Sequence, residues 1–193
     1  MALLTVPLEE LGKISQGITA SRYANSQGTV YRLVSVTDLE GLYIRDTQAS
    51  VQVAVSDIQR YLLRENDVVI AIRGSILKSS VVTKALQSSI SNQNTVFFRP
   101  KFVDLDPLYL AVLLRSEYFR QLPSFRERQS TTTLPAIRVS DLRSLKIPLP
   151  DPQTQAQIAQ LFLSIEQAKK VVFESVETRQ RLANAALVKA LGV

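Results

Sequence analysis

The C-terminal segment constrains the fold more than any other part of the sequence, because residues 153–191 contain no glycine or proline. Asp151 and Pro152, directly before it, form an N-cap and N1 pair of the kind that opens a helix. We therefore predict a single helix of roughly 40 residues, which at 1.5 Å per residue is about 60 Å long. A domain built from the rest of this chain is too small to cover a helix of that length.

Apolar residues recur along this segment in alternating steps of three and four, a spacing typical of coiled coils. The stripe comprises Ile158, Leu161, Ile165, Ala168 and Val172, and it continues less regularly through Val176, Leu182 and Ala186. Arg179 interrupts it. We interpret the stripe as a surface that pairs with another copy of the chain or with another protein. The alternative is a helix that folds back on its own domain.

Residues 1–150 carry short strand and helix patterns in mixed order. β-branched and apolar runs predict strands, and we place them at residues 29–36, 51–55, 68–72, 95–100 and 146–150. We predict a loop over residues 16–28, one helix from Pro107 to the residue before Pro123, and a short turn capped by Ser140. The expected fold class is α/β in the mixed α+β sense, with short twisted strands followed by a long coiled-coil-like helix.

Composition excludes several kinds of chemistry. The chain has no cysteine and no histidine, which excludes disulfides, cysteine zinc sites and thiol nucleophiles and removes the commonest general base. Its net charge is +6 and its isoelectric point about 9.7. Residues 1–150 carry most of this excess, with 18 Lys and Arg against 13 Asp and Glu. A basic body indicates an anionic partner, of which nucleic acid is the commonest, although a merely basic protein has the same composition.

No segment has the length or pattern of a membrane span or a signal peptide, so we expect no membrane contact and a cytoplasmic location. No metal site and no cofactor are predicted. Pro150-Asp151 is interpreted as a helix cap rather than part of a nuclease motif, and Asp104 and Asp106 as loop and cap residues. Neither a G-x-G loop nor an ATP-binding phosphate loop occurs.

Three polar loops combine cations for phosphates with planar or hydroxyl groups for base edges. The first holds Thr19, Ser21, Arg22 and Tyr23, the second Arg73, Ser75 and Lys78, and the third Arg126, Arg128, Gln129, Ser130, Thr131, Thr132 and Thr133. The third loop concentrates all the donor types and is the strongest candidate. A solvated surface loop remains the alternative for the third loop and for the first. Gly74 and residues 92–94 are interpreted as turns rather than as contacts to bases.

The order of several motifs resembles a known family. The motifs are "PLEELGKISQG", "YRLVSVTDLEG", "RENDVVIAIRGS", "SNQNTVFFRP", "PLYLAVLLRSE" and "LPAIRVSDLRSLKIPLPDPQTQAQIAQLF". Together they cover nearly the whole chain, and in this order they resemble the specificity subunit of type I restriction–modification systems.

The resemblance implies a DNA target-recognition domain in residues 1–150 and a spacer and dimerisation helix in residues 151–193. Family members carry two such domains and two helices that pack antiparallel, so this sequence resembles one half. The resemblance implies a homodimer that reads a bipartite, palindromic site in double-stranded DNA. It further implies a non-catalytic chain, whose partner methyltransferase, with a restriction subunit where the system has one, carries the chemistry. The competing hypotheses are a protein-interaction adaptor or relic that no longer reads DNA, and an unrecognised nuclease.

Overall fold

The computed structural model describes residues 4–44, 46–47, 49–74, 77–101, 104–122 and 136–191. The chain forms two compact units, Met1–Ala159 and Gln160–Val193. Within the described residues, no helix combines the length and the apolar character that crossing a lipid bilayer requires.

The described residues form short strands, several short helices and one long helix. The strands are Thr5–Pro7 (β1), Gly12–Gln16 (β2), Ala24–Val34 (β3), Tyr43–Ile44 (β4), Ser50–Val53 (β5), Val68–Ala71 (β6), Ser79–Val82 (β7), Ile90–Ser91 (β8), Thr95–Pro100 (β9) and Lys146–Pro148 (β10). The α-helices are Leu8–Leu11 (α1), Ala20–Tyr23 (α2), Pro107–Arg115 (α3), Glu117–Arg120 (α4), Val139–Arg143 (α5) and Pro152–Leu191 (α6). Single 3₁₀ turns lie at Val36–Asp38, Ile58–Tyr61 and Lys84–Leu86. The predicted mixed fold class with a long terminal helix is confirmed.

The strands assemble into three sheets. The largest has the order β2-β9-β6-β7-β4, and within it only β4 and β7 pair in parallel among the described strands. A second sheet has the order β5-β3-β8, and β1 pairs with β10. Strands β6 and β9 lie at the centre of the large sheet, which is why their sequences are nearly continuous apolar runs rather than alternating ones.

A buried ion pair lies where β6 begins. Asp67 is 1% exposed, and its two carboxylate oxygens accept hydrogen bonds from the guanidinium of Arg99 at 2.8 and 2.6 Å. Arg99 also donates to the carbonyl of Leu62 at 2.9 Å, and the main-chain N–H of Arg64 donates to Asp67 at 2.8 Å. Every charge in this cluster therefore has close partners, as burial of a charge requires.

Three sequence predictions were wrong, and the first concerns a segment whose structure depends on pairing with a distant strand. The segment predicted as a loop over residues 16–28 contains helix α2 and the start of β3. Ala24 and Thr29 both pair with Val53, so the residues between them bulge out of the strand. The side chain of Gln52 donates to the carbonyls of Ser26 and Gly28, which holds the bulge in place.

The single helix predicted over residues 107–122 is divided into α3 and α4. Ser116 has extended backbone geometry, and its N–H and hydroxyl both bond to the carbonyl of Leu113. The predicted cap at the other end is present: the Asp106 carboxylate accepts from the N–H groups of Leu108 and Tyr109 at 2.7 and 3.3 Å. Ser140 was also misassigned, because Arg138 is the residue that precedes α5 and its N–H donates to Asp141.

Helix α6 begins as predicted. The Asp151 carboxylate accepts hydrogen bonds from the N–H of Thr154 at 3.0 Å and from its hydroxyl at 2.6 Å. These bonds lower the pKa of Asp151, and the hydroxyl of Thr154 makes the largest contribution. The first turns of α6, through Ala159, belong to the first compact unit, in which Gln155 and Ala159 are buried.

Candidate nucleic-acid interface

Main-chain pairing brings the first two predicted loops, and the first described residue after the third, to one edge of the large sheet. Ile18, which precedes the first loop, bridges to Asn92, and Arg73 in the second loop bridges to Ala136, the first described residue after the third loop. The N–H of Ile72 donates to the carbonyl of Asn94 at 2.9 Å, which joins the second loop to the turn before β9. We call this edge, formed by residues 17–22, 72–74, 92–94 and 136, the polar edge.

Gly17 permits the closest of these approaches. Its N–H donates to the carbonyl of Thr95, and a Cβ placed on Gly17 would come within 2.0 Å of the Asn92 carbonyl oxygen. No residue with a side chain fits there without displacing the backbone. The first loop therefore lies directly against the Asn92 turn because position 17 is glycine.

The residues of the first loop have different surroundings. Ser21 and Arg22 are exposed in α2, and Thr19 is half-buried at its start, where its carbonyl accepts from the N–H of Arg22. Tyr23 instead packs against the cluster of Ile18, Val53 and Ile90. Of the four predicted residues, Ser21 and Arg22 are the most accessible to a ligand.

The second loop follows β6. Arg73 is exposed, and Gly74 has a φ of +75°, the left-handed geometry that favours glycine in a tight turn. Lys78, by contrast, is bonded to the carboxylate of Glu40. The neighbouring Ser79 hydroxyl is buried and donates to the carbonyl of Ala111 at 3.0 Å. Ser75 lies outside the described residues.

The third loop lies outside the described residues. The predicted members there are Arg126, Arg128, Gln129, Ser130, Thr131, Thr132 and Thr133. What the structure describes is the chain directly after them, where the N–H of Ile137 donates to the carbonyl of Ile72 at 2.8 Å. The assignment of the third loop to DNA contact stays a prediction.

The sequence analysis gave no role in binding to the Asn92 turn. Asn92 itself is a turn residue as predicted, since its side-chain oxygen accepts from the N–H of Asn94 at 3.0 Å. Gln93 is exposed between them, at the centre of the polar edge. A planar amide can pair with the edge of an adenine, so Gln93 joins the candidate residues. The sequence pattern "NQN" shows that an amide is present here, but only the strand pairing places Gln93 beside Arg73.

The second candidate surface lies on α6. At about 100° per residue, Ile158, Ile165, Val172, Val176 and Leu187 fall within about 40° of one line along the helix. One flank of this line holds the predicted residues Leu161, Ala168, Ala186 and Leu182. The other flank holds Phe162 and Phe173, which the sequence analysis missed. Ile165 is 40% and Phe173 66% exposed.

These side chains form an apolar groove. Its volume is about 520 Å³, and it is lined by Ile165, Ala168, Lys169, Val172, Phe173 and Val176. Counted with both flanks, the apolar surface covers about 180° of the helix, wider than the narrow seam of a two-stranded coiled coil. The sequence analysis identified only one seam, because steps of three and four residues follow a single line along the helix. The flank with Phe162 and Phe173 lies beside that line and was therefore omitted.

The described residues offer no group of three acidic, histidine or cysteine side chains close enough to hold a metal ion. The arrangement at the polar edge instead combines a guanidinium, amides and hydroxyls on main chain that is fixed by hydrogen bonds. Groups of these types are the ones that proteins use to contact phosphates and base edges.

Comparisons with known proteins show which family this chain belongs to. Residues 4–171 match the family model described as the type I restriction modification DNA specificity domain. The chain therefore belongs to the type I restriction–modification DNA specificity domain family. A search of the curated proteins gives no significant match.

Solved structures of the same fold include the three that follow. One is a chain from a structural study of complex assembly and conformational transition of the type I R-M system. It is 21% identical to this chain, with a TM-score of 0.61, and the match covers 92% of this chain and 41% of that one. The HsdS subunit from Thermoanaerobacter tengcongensis is 20% identical, with a TM-score of 0.61 over 89% of this chain and 39% of that one. The type I restriction-modification S subunit from M. genitalium is 16% identical, with a TM-score of 0.57. The match covers 94% of this chain and 43% of that one. This chain thus spans about two fifths of each solved chain.

Proposed function

We propose that this chain is a sequence-specific DNA-binding specificity subunit that acts as a homodimer of half-subunits on a bipartite site. It has no catalytic role in this proposal. It directs a partner adenine methyltransferase and, where the system has one, a restriction subunit to that site. The observation that carries the proposal is the convergence of the first two polar loops and Ala136 at one edge, in a chain of the DNA specificity domain family.

The polar edge supports direct reading of DNA. Arg73 and Arg22 supply cations for phosphates or for guanine, and Gln93 supplies an amide for adenine. The main chain beneath them is held by the bonds from Ile72 to Asn94 and from Ile18 to Ser91. Preorganised contact residues lose less conformational entropy when they bind, which favours discrimination between bases.

The apolar surface of α6 supports pairing. Large side chains such as Val172, Phe173 and Val176 are more than half exposed, which is costly in water unless another surface covers them. A second copy would cover the central line of the stripe. Two-fold symmetry would then present two identical polar edges, which fits a palindromic site with two half-sites.

The width of this surface supports a partner subunit in addition to a second copy. A two-stranded pairing covers the central line, and one flank remains for helices of a different protein. We assign that flank to the methyltransferase subunit, which would extrude and modify the target adenine while this chain determines which adenine is reached.

The test selects bound sites from a duplex library with a random central region, and measures solution mass by light scattering alongside it. We expect a mass of twice 21.5 kDa and a pair of inverted half-sites at one spacing. A dimer that enriches no sequence would support the adaptor hypothesis instead. A monomer that enriches one half-site would retain DNA reading and refute the homodimer.

A further inference from the structure

A carboxylate lies against one of the cations predicted to contact DNA. The Lys78 ammonium is bonded to the carboxylate of Glu40, with the lysine side chain 22% and the glutamate side chain 78% exposed. Lys78 directly precedes β7, and its carbonyl accepts from the N–H of Ala71 at the end of β6 at 2.8 Å. Lys78 is therefore at the same end of the sheet as Arg73.

The main chain that carries Glu40 is held firmly. The guanidinium of Arg115 donates to the carbonyls of Leu39 at 2.7 Å, Glu40 at 3.1 Å and Gly41 at 2.8 Å. The Ser80 hydroxyl donates to the carbonyl of Gly41 at 2.5 Å. The main chain at Glu40 is thus held next to Lys78 by bonds other than the ion pair.

We propose that Glu40 is a specificity-determining residue that occupies Lys78 and withholds it from the phosphates of non-cognate DNA. The inference rests on the proposed function, since it assumes that the polar edge binds DNA. A phosphate of any duplex can reach a free Lys78, but only a duplex held in place by its base contacts would hold a phosphate there well enough to displace the Glu40 carboxylate. Discrimination of this kind weakens the wrong complex without adding contacts to the right one.

The strength of the pair suits this role. An exposed ion pair contributes little and is screened by salt, so a well-placed phosphate can replace it. In non-specific complexes, by contrast, each phosphate contact adds about 0.9 to the slope of log K against log salt. A Lys78 side chain without its ion pair would add one phosphate contact to the complex with any DNA sequence. A Lys78 side chain paired with Glu40 would not.

The test compares Glu40→Gln with Glu65→Gln on a labelled random-sequence duplex between about 50 and 200 mM salt. Glu65 is exposed in the turn before β6, at the opposite end of that strand, and controls for the loss of one negative charge. We expect Glu40→Gln to bind roughly two- to fivefold tighter at low salt. We also expect a salt slope steeper by up to about 0.9, and little change for Glu65→Gln.

A double-mutant cycle with Lys78→Gln separates the pair from general charge. Glu40→Gln should have no effect on binding once Lys78 is absent. Equal salt slopes for Glu40→Gln and wild type, or an undiminished effect in the Lys78→Gln background, would overturn the inference while DNA binding stands. If the wild-type chain binds no duplex, the proposed function fails and the inference fails with it.

Discussion

The side-chain amide of Gln155, in the first turns of α6, donates a hydrogen bond to the main-chain carbonyl of Asp104 at 2.8 Å. The same amide donates to the carbonyl of Pro150 at 2.9 Å, and its oxygen accepts from the N–H of Asp106 at 3.0 Å. Gln155 is 1% exposed. One glutamine therefore satisfies three main-chain groups where α6 begins and where α3 is capped.

Replacement of Gln155 by alanine should destabilise the first compact unit. Three main-chain groups would lose their partner, and each unsatisfied buried group costs about 1–3 kcal/mol unless water replaces the bond. We expect a loss of about 2–4 kcal/mol in the free energy of unfolding, measured by urea denaturation.

The matched control is Gln157→Ala, because Gln157 is exposed two residues further along the same helix. Its effect should stay within about 0.5 kcal/mol. If the two variants unfolded at the same urea concentration, the bonds of Gln155 would contribute no net stability.

Charge reversal at Arg73 should weaken DNA binding. Arg73→Glu replaces a cation of the polar edge with an anion, and we expect at least a tenfold loss of affinity at low salt, about 1.4 kcal/mol. Fluorescence anisotropy with a labelled duplex measures it. Arg64→Glu is the control, since Arg64 is exposed near the other end of β6. An equal loss in both variants would indicate a general effect of net charge.

Charge reversal at Arg126 and Arg128 tests the third loop. We expect the double variant to lose DNA binding while its solution mass is unchanged, because the dimer surface is assigned to α6. An electrophoretic mobility shift and light scattering on the same sample measure both properties. Binding at the wild-type level would remove this loop from the interface.

Polar replacement along the helix should separate the proposed dimer. We choose Ile165→Ser, Val172→Ser and Val176→Ser together, because these side chains are at least 40% exposed and contribute little to the core. Ile158 is less suitable, since it is half-buried in the first compact unit. The mass by light scattering should fall to 21.5 kDa. A variant with Lys170→Ser and Glu174→Ser alters the polar face of the same segment and should keep the wild-type mass.

The cap of α6 has a pH dependence that can be measured directly. The hydroxyl of Thr154 is the largest cause of the lowered pKa of Asp151. Because this pKa is below that of the unfolded chain, the cap stabilises the helix above the unfolded pKa, and this stability is lost as the pH falls through the folded one. We expect Thr154→Ala to raise the pKa of Asp151 toward its ordinary value in an NMR titration of the carboxyl carbon. Thr178→Ala, further along the helix, should leave that pKa unchanged.

Local chemistry explains which elements could be predicted. Asp106-Pro107 and Asp151-Pro152 open helices as expected, since a carboxylate cap and a proline act within a few residues. The short helix α2 and the break at Ser116 were missed. The bulge of β3 that follows α2 is held by Gln52, which is far away in sequence. The break at Ser116 is a local feature, made by bonds to Leu113 three residues earlier, and the apolar spacing did not reveal it.

The sequence alone determined the long helix, its apolar stripe and the mixed fold class, because these depend on spacing and composition within short segments. Only the tertiary structure decided which polar groups share a surface. The pairing of Ile18 with Asn92 and of Arg73 with Ala136 joins segments far apart in sequence, and it adds Gln93 to the polar edge. It also placed Lys78 against Glu40, because a side chain's partner depends on which strands pair and not on its neighbours in the chain.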